Sequence, residues 1–287
     1  MNARTLLAVP NVSEGQDVEL IGALARAFDA RLLDVHADPD HHRSVYTLAG
    51  RPGTLAPAVL AGASEAVARI DIGDHRGEHP RVGAVDVAPV VYLDDEDRGA
   101  ACAEALVLAD MLGHELGLPV FLYGELAGGR TRAELRSGGP DGLSERIENR
   151  ELRPDFGPPK LHATAGAVLV AARPPLVAFN LELAPPATFE DAKAIAAEIR
   201  EGGPRGLASV RAIGAWLEER GRAQVSTNVE DHRATPLRAV VEAVAGGAEV
   251  DETELVGLAP RAAFDGFPDD VPLRGRATIE EALRASE

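Results

Sequence analysis

Short apolar runs alternate with segments of helical period along nearly the whole of this 287-residue chain, and that alternation restricts it to a layered α/β architecture. Runs of strand length stand at Leu6–Val12, Leu32–His36, Ser44–Ala49, Val85–Leu93, Val120–Tyr123 and Ala165–Ala172. Between them, Ile21, Leu24, Ala25 and Phe28 recur at helical spacing, as do the apolar residues of 55–69. Ser13 and Gln16 have the spacing of a capping box, which predicts a helix start there. A long helix is predicted from about Gly99 to Glu115, stopped by Gly117 and Pro119. Residues 124–164 carry little apolar periodicity and read as a long functional or mobile loop.

The second half has its own order. A strand at Leu176–Leu183 precedes a helix opened by Thr188 and Asp191 and closed near Gly202. Strands at 208–217 and 223–229 follow, then a helix over 236–245 ending at Gly246–Gly247, a strand at Leu255–Leu258 and a last helix at Ile279–Ala285. This is β-α-β-β-α-β, a split βαβ sandwich, and the first half opens in the same order. The expected fold is α/β (α+β): two βαββαβ-like, ferredoxin-like sandwich subdomains with mixed sheets, over residues 1–173 and 176–287, joined near Arg173–Pro175. The repeat is one of topology, without a sequence repeat.

Charge narrows the function classes. The formal net charge is -17, so the basic footprint that phosphate backbones and anionic membranes require is missing, and neither nucleic acid nor membrane is an expected partner. Cys102 is the sole cysteine, which excludes an intramolecular disulfide and a Cys-rich zinc site. No apolar run reaches signal-peptide or membrane-span length, so the cytoplasm is the expected location. Gly-x-Gly-x-x-Gly and Walker patterns are absent, against dinucleotide and NTP sites.

Three polar stretches can carry chemistry. The first is His75-Arg76-Gly77-Glu78-His79-Pro80-Arg81-Val82-Gly83-Ala84-Val85-Asp86, where Gly and Pro can fix a backbone that points side chains into a cleft. A histidine there can accept and donate a proton within one cycle, and Arg81 can hold a carboxylate bidentately. The alternative is a solvated loop whose charges pair among themselves, and the residue types do not choose between the two. The second stretch contains Asp34, His36, Asp38, Asp40, His41, His42 and Arg43. Its density suggests a metal site, but Asp and Pro are ordinary turn formers and adjacent histidines cannot all face one ion, so a charged hairpin turn is the stronger reading. Asp34 and His36 share one strand face and either could orient a catalytic imidazole. The third, Pro154 to Gly166, has a backbone that can hydrogen-bond a planar heterocycle, though on its residues alone it reads as a plain connection. Gly124-Glu125, at a strand end, is a weaker candidate, as are Asn11, Ser13 and Glu14, and His114 on a helix.

These stretches carry a family resemblance. Val9-Pro10-Asn11-Val12-Ser13-Glu14-Gly15 resembles the opening of the glutamate formiminotransferase (formimidoyltransferase) family. Leu33-Asp34-Val35, Arg43-Ser44-Val45, His75 to Arg81 with Gly83-Ala84 and Asp86-Val87, Leu122-Tyr123-Gly124-Glu125, Pro154-Asp155-Phe156-Gly157, Ala178-Phe179-Asn180 and Ala223 to Asn228 follow in the family's order. The resemblance spans nearly the whole chain and one transferase domain; the cyclodeaminase domain of the bifunctional animal enzyme has no counterpart in it. It implies transfer of a formimino group from N-formimino-L-glutamate to tetrahydrofolate, a co-substrate, in histidine degradation, with no metal required and a homodimeric enzyme. It implies His79 as the catalytic acid/base. It implies a folate loop at Gly157, Pro158, Pro159, Lys160, Leu161, His162, Ala163, Thr164, Ala165 and Gly166. Asp34, His36, Arg43, Arg81 and Glu125 are the expected substrate-binding residues. The family commonly has Asp two residues after the position of Asp34 and Asn just before that of Arg43, where this chain has His36 and His42. Alternatives are a folate enzyme with a formyl or formiminoglycine donor, a non-catalytic folate-binding protein, and a metal hydrolase built on His36, Asp38, His41 and His42.

Overall fold

Pro10 has no amide hydrogen to give to a ladder, and the first strand breaks there into β1 (Leu6–Ala8) and β2 (Asn11–Val12). Both pieces run antiparallel between β4 (Arg43–Gly50) and β5 (Val85–Tyr92), with Leu6 opposite Gly50 and Tyr92, and Asn11 opposite Val45 and Val87. A hairpin joins β4 to the edge strand β3 (Arg31–Asp38). Helices α1 (Val18–Ala27) and α2 (Leu55–Arg69) make the two crossovers, completing β-α-β-β-α-β. The computed structural model describes residues 4–73, 75 and 80–286 and divides into one unit ending at Pro174 and another starting at Pro175.

The first unit extends this frame. After α3 (Arg98–Glu115) and β6 (Val120–Leu122), the chain makes an excursion and returns as β7 (Val168–Arg173), which inserts between β5 and β6, parallel to both. Tyr46, Leu48 and Val90 pack under the helices with Leu24, Leu55 and Leu108. On the opposite sheet face, Val87, Leu169 and Phe121 form a second cluster with Leu135, Leu143 and Ile147. β5 is therefore buried on both faces, which is why its sequence is nearly continuously apolar instead of alternating.

That second cluster corrects the reading of 124–164 as a loop. The segment holds a 3-10 turn at Gly124–Ala127 and helices α4 (Arg132–Arg136) and α5 (Gly139–Glu148), and their few apolar residues are the ones that cover the sheet. The first helix also starts differently from the prediction. Asp17 caps α1, its side chain accepting from Glu19 and Leu20 amides, while Ser13 is engaged elsewhere. The predicted strand at Ala165–Ala172 begins three residues later, at Val168, because 162–166 close a turn.

The second unit runs β8 (Val177–Leu183), α6 (Phe189–Ile199), β9 (Val210–Leu217), β10 (Arg222–Val229), α7 (Leu237–Ala245), β11 (Val250–Val256), β12 (Leu273–Arg274) and α8 (Ile279–Ala285). Its sheet order is β12-β11-β8-β10-β9, antiparallel except for the parallel β11–β12 pair. Thr188 and Asp191 form the capping box that the sequence predicts for α6. β11 begins five residues before the predicted Leu255, because its first half alternates polar residues that engage in ion pairs. Both units are thus βαββαβ sandwiches with mixed sheets. Among the described residues, no helix is long and apolar enough to cross a membrane.

Candidate functional site

Four segments of the first unit meet where β2 ends and β4, β5 and β7 begin. They are Ser13–Gly15, His42–Arg43, the described part of 72–84, and 162–167. Backbone hydrogen bonds tie them together. Ser13 N donates to Ala84 O (2.8 Å), Ala84 N to Ala165 O (2.9 Å), Ala167 N to Val82 O (2.9 Å) and Ile72 N to Thr164 O (2.9 Å). The buried Ser13 hydroxyl adds a bond to Gly83 O at 2.8 Å. Two glycines make the approach feasible. A Cβ on Gly15 would lie 2.2 Å from Asp38 O, and one on Gly166, whose φ is +67, would lie 2.2 Å from Val82 O.

Two imidazoles stack at this junction. The His42 and His75 ring centroids are 4.1 Å apart with planes 25° from parallel. His75 Nε2 donates to the His42 carbonyl at 2.9 Å, and His42 Nδ1 accepts the Gly15 amide at 3.1 Å, which places the His42 proton on Nε2. Glu14 Oε1 lies 3.5 Å from His42 Nδ1 and also accepts from the Gln16 and Asp17 amides at 2.7 and 2.9 Å. Arg81 Nη2 donates to His75 O at 2.9 Å. Burial, joined by the Arg81 and His42 charges, outweighs the hydrogen bond to His42 O and drives His75 down to about 4, so its ring is neutral at neutral pH. His79, with Arg76, Gly77 and Glu78, lies outside the described residues.

The stretch Gly157–Gly166 arrives beside this junction. His162 and Gly166 exchange backbone hydrogen bonds at 2.9 and 3.0 Å, closing a tight turn around Ala163, Thr164 and Ala165. His162 Nδ1 accepts the Ala165 amide at 3.1 Å, leaving the proton on Nε2. Leu161 packs against the cluster under α4 and α5, whereas Pro159 and Lys160 are exposed and Pro158 half-buried. Preceding it, the motif Pro154 to Gly157 is a staple for β6. Asp155 Oδ2 accepts from Leu122 N at 2.7 Å and pairs with Arg130, and Asp155 N donates to Val120 O at 2.8 Å.

The other candidates divide by position. Asp34 and His36 share the face of β3 opposite Val35, whose side chain packs on the helix side. Burial pushes the Asp34 carboxyl up, against the opposing pull of His36. Asp38 and His41 form a buried pair in the β3–β4 turn, with Nδ1 to Oδ2 at 2.6 Å and the His41 amide on Oδ1 at 2.9 Å. Burial raises Asp38, but His41 and then Arg43, opposite it in the ladder, outweigh burial and hold it at about 2. The charged-turn reading of this stretch accounts for these contacts. Glu125 is elsewhere. It accepts from Tyr92 Oη at 3.3 Å and Arg98 Nε at 2.7 Å, at the far end of β5, about 23 Å of strand from Val85. His114 is an exposed helix residue.

Asp86 was read only as part of the first polar stretch, and its partners escaped the sequence reading. Asp86 Oδ1 accepts from Val82 N at 2.8 Å and its other oxygen pairs with Arg136 of α4. This ties the end of the 75–86 stretch to the excursion helices.

Residues 5–173 match the family described as the formiminotransferase domain, N-terminal subdomain, and residues 178–265 match the formiminotransferase domain. The chain is 36% identical over 274 residues to a glutamate formimidoyltransferase of Streptococcus pyogenes serotype M1, covering 91% of each chain. It is 37% identical over 270 residues to a glutamate formimidoyltransferase of Thermoplasma acidophilum, covering 89% of this chain and 88% of that one. It is 41% identical over 279 residues to the formimidoyltransferase-cyclodeaminase of Gallus gallus, covering 91% of this chain but 51% of that protein. The chain therefore spans about half the length of the animal relatives it matches. With the two subdomain matches falling on the two βαββαβ units, this chain belongs to the formiminotransferase domain family.

Proposed function

We propose that this chain transfers the formimino group of N-formimino-L-glutamate to N5 of tetrahydrofolate, giving 5-formiminotetrahydrofolate and L-glutamate. The observation that carries this is the convergence of Ser13–Gly15, His42–Arg43, the described part of 72–84 and His162–Ala167 at one end of a single sheet. It is supported by two relatives of matching length that bear the name glutamate formimidoyltransferase.

In the proposed step, N5 bonds to the formimino carbon, and a tetrahedral centre forms. His79 takes the proton released from N5 and returns it to the glutamate nitrogen as the carbon–nitrogen bond to glutamate breaks. The proton count closes within the reaction, and no metal or covalent enzyme intermediate is called for. The turn at 162–166 offers the folate ring backbone groups of fixed geometry and the Nε2 proton of His162. Asp34, His36 and Arg43 are the proposed donor-side residues; Glu125 has no part in the proposal because it lies at the other end of β5. Holding both substrates together supplies a large share of the acceleration. We further propose a homodimer in the cytoplasm serving histidine degradation.

The test is a donor panel with tetrahydrofolate: formiminoglutamate, formiminoglycine and a formyl donor, with and without chelator. Formation of 5-formiminotetrahydrofolate from formiminoglutamate, unaffected by chelation, is the expected result. Binding of tetrahydrofolate without transfer from any donor would reject the enzyme in favour of a folate-binding protein. Sedimentation of the purified chain checks the dimer.

A further inference from the structure

We propose that strand β9 is the contact between two copies of this chain: its free edge pairs antiparallel with β9 of a second copy, about a twofold axis at Gly214. This rests on the reading that the chain is a homodimer, and it names the surface that makes it one.

The hydrogen-bond parity of β9 leaves one edge open. Glu230 N donates to Ser209 O at 2.7 Å, so residues 209 and 230 are a bonded pair at the start of the β9–β10 ladder. In an antiparallel ladder, bonded and non-bonded pairs alternate. The register runs without a shift from Val210 opposite Val229 to Leu217 opposite Arg222. Val210, Ala212, Gly214 and Trp216 therefore turn their N–H and C=O groups away from β10. Val210 uses both locally, its amide donating to Leu207 O at 3.4 Å and its carbonyl accepting from Glu201 N at 2.8 Å. The groups of Ala212, Gly214 and Trp216 meet no partner among the described residues.

A row of unpaired backbone groups is a template for another strand, and proteins blunt it with charges, proline, bulges or short strands. The other three sheet edges have such devices. β3 carries Arg31, Asp34, His36 and Asp38 and a register shift between Leu32 and Asp34. β6 has three residues, and Asp155 and Phe156 take its outer groups. β12 has two residues. β9 has eight residues, no proline and no bulge. Its one charge, Arg211, is paired with Glu201 and Glu230, each at 3.2 Å. Gly214 faces α6, where a Cβ would lie 2.5 Å from Lys193 N, so Ile213 and Ala215 face the other way, and Ile213 is 44% exposed.

The side chains suit a second copy. With Gly214 opposite Gly214 of that copy, Trp216 meets Ala212 and Ile213 meets Ala215, a large side chain against a small one on both faces. Arg211 falls opposite Leu217, so no charge meets its like in a chain of net charge -17. A strand paired about a twofold axis has no further edge to offer, so assembly stops at two.

Sedimentation equilibrium of the full chain over about 1 to 100 µM compares the unaltered protein with Ile213→Lys, Ala212→Pro and a control. The control is Leu106→Lys on α3, at a position 40% exposed. Ile213→Lys sets a charge against Ala215 of the other copy, and Ala212→Pro removes an outward N–H without costing a bond to β10. Each is expected to weaken the dimer by roughly 100-fold with circular dichroism unchanged, while the control leaves it as it was. Where Ala212→Pro does not fold, Ile213→Lys decides. A second measurement reads the register. Residues 213 and 215 of opposite copies form a non-bonded pair, with Cα atoms about 4.5 Å apart, so a chain carrying both Ile213→Cys and Ala215→Cys is expected to become a covalent dimer in air. A dimer unweakened by Ile213→Lys, or a double-cysteine chain that stays monomeric on a denaturing gel, overturns the pairing and leaves the homodimer standing. An unaltered chain that is monomeric throughout the range overturns both.

Discussion

The two units share a chain order and a strand order, yet they place their polar side chains differently. In the first, Ser13, His42, His75, Arg81 and His162 stand in loops at one end of the sheet, held by backbone hydrogen bonds. In the second, the clustered carboxylates sit on the strands themselves, with Arg274 on β12 and Arg220 in the β9–β10 turn. Glu182 of β8 takes Arg220 at 2.9 Å and Arg274 at 2.6 Å, and Glu252 of β11 takes the same two guanidinium groups at 3.0 and 2.7 Å. Glu254 adds a contact to Arg274 at 3.3 Å, and Asn180 donates to Glu254 at 3.3 Å. Burial pushes the Glu182 carboxyl up, against the pull of both arginines. Strand-borne charges come as fixed cross-strand partners and lock register, whereas loop-borne ones can be aimed by glycine and proline. The βαββαβ frame therefore does not specify a site; its loops do.

Four measurements would break or sharpen that contrast. The largest expected effect is on the loop side. His79→Ala should lower formimino transfer by about 10²- to 10⁴-fold with the melting temperature unchanged, and near-normal kcat would remove its role. Next is Arg136→Met, which strips the partner from Asp86, a buried carboxylate. A loss of about 3 kcal/mol in urea unfolding is expected, and a negligible loss would mean that strand charges in the first unit do not matter as they do in the second. Glu182→Gln should cost less, about 2 kcal/mol, because Glu252 and Glu254 still hold both guanidinium groups, which are partly exposed. The smallest effect is on pH dependence, where the two regions have opposite signs. His75 titrates at about 4 in the fold against 6.5 unfolded, so the unfolded chain binds more protons between those values and the His75 contribution falls as pH drops through that window. Glu182 is raised above its ordinary 4.5, so its contribution improves as pH falls toward that value. Calorimetry of His75→Gln should therefore show a stability deficit at neutral pH that narrows near pH 5, roughly the middle of that window. A constant deficit would refute the assignment of a neutral buried ring.

Much of the frame was legible in the sequence because buried strands and amphipathic helices leave strong signatures. The continuous run of β5, the Thr188–Asp191 cap and the start and end of α8 all followed from pattern alone. The misses have physical causes. Helices α4 and α5 bury only Leu135, Leu143 and Ile147, too few for periodicity to show. β11 hides its first half behind glutamates that serve ion pairs. For the site, the stretches themselves were visible as Gly- and Pro-bounded polar segments. Their partners were not, since Arg136 lies 50 residues from Asp86 and His75 lies 33 from His42, separations on which no local rule acts. Asp155 was quoted only as part of a motif, and its stapling of β6 needs the tertiary fold to be seen.

His42 adopts φ of +49, a backbone state that β-branched and most bulky residues avoid and that Asn, Asp and His tolerate best. Its side chain must also offer an acceptor to the Gly15 amide. Together these requirements act as a sieve on the side chains this position can carry, and His passes it. The imidazole that passes it also offers a flat surface to the His75 ring, so a position where the backbone leaves very few letters to choose from supplies a stacking partner as well.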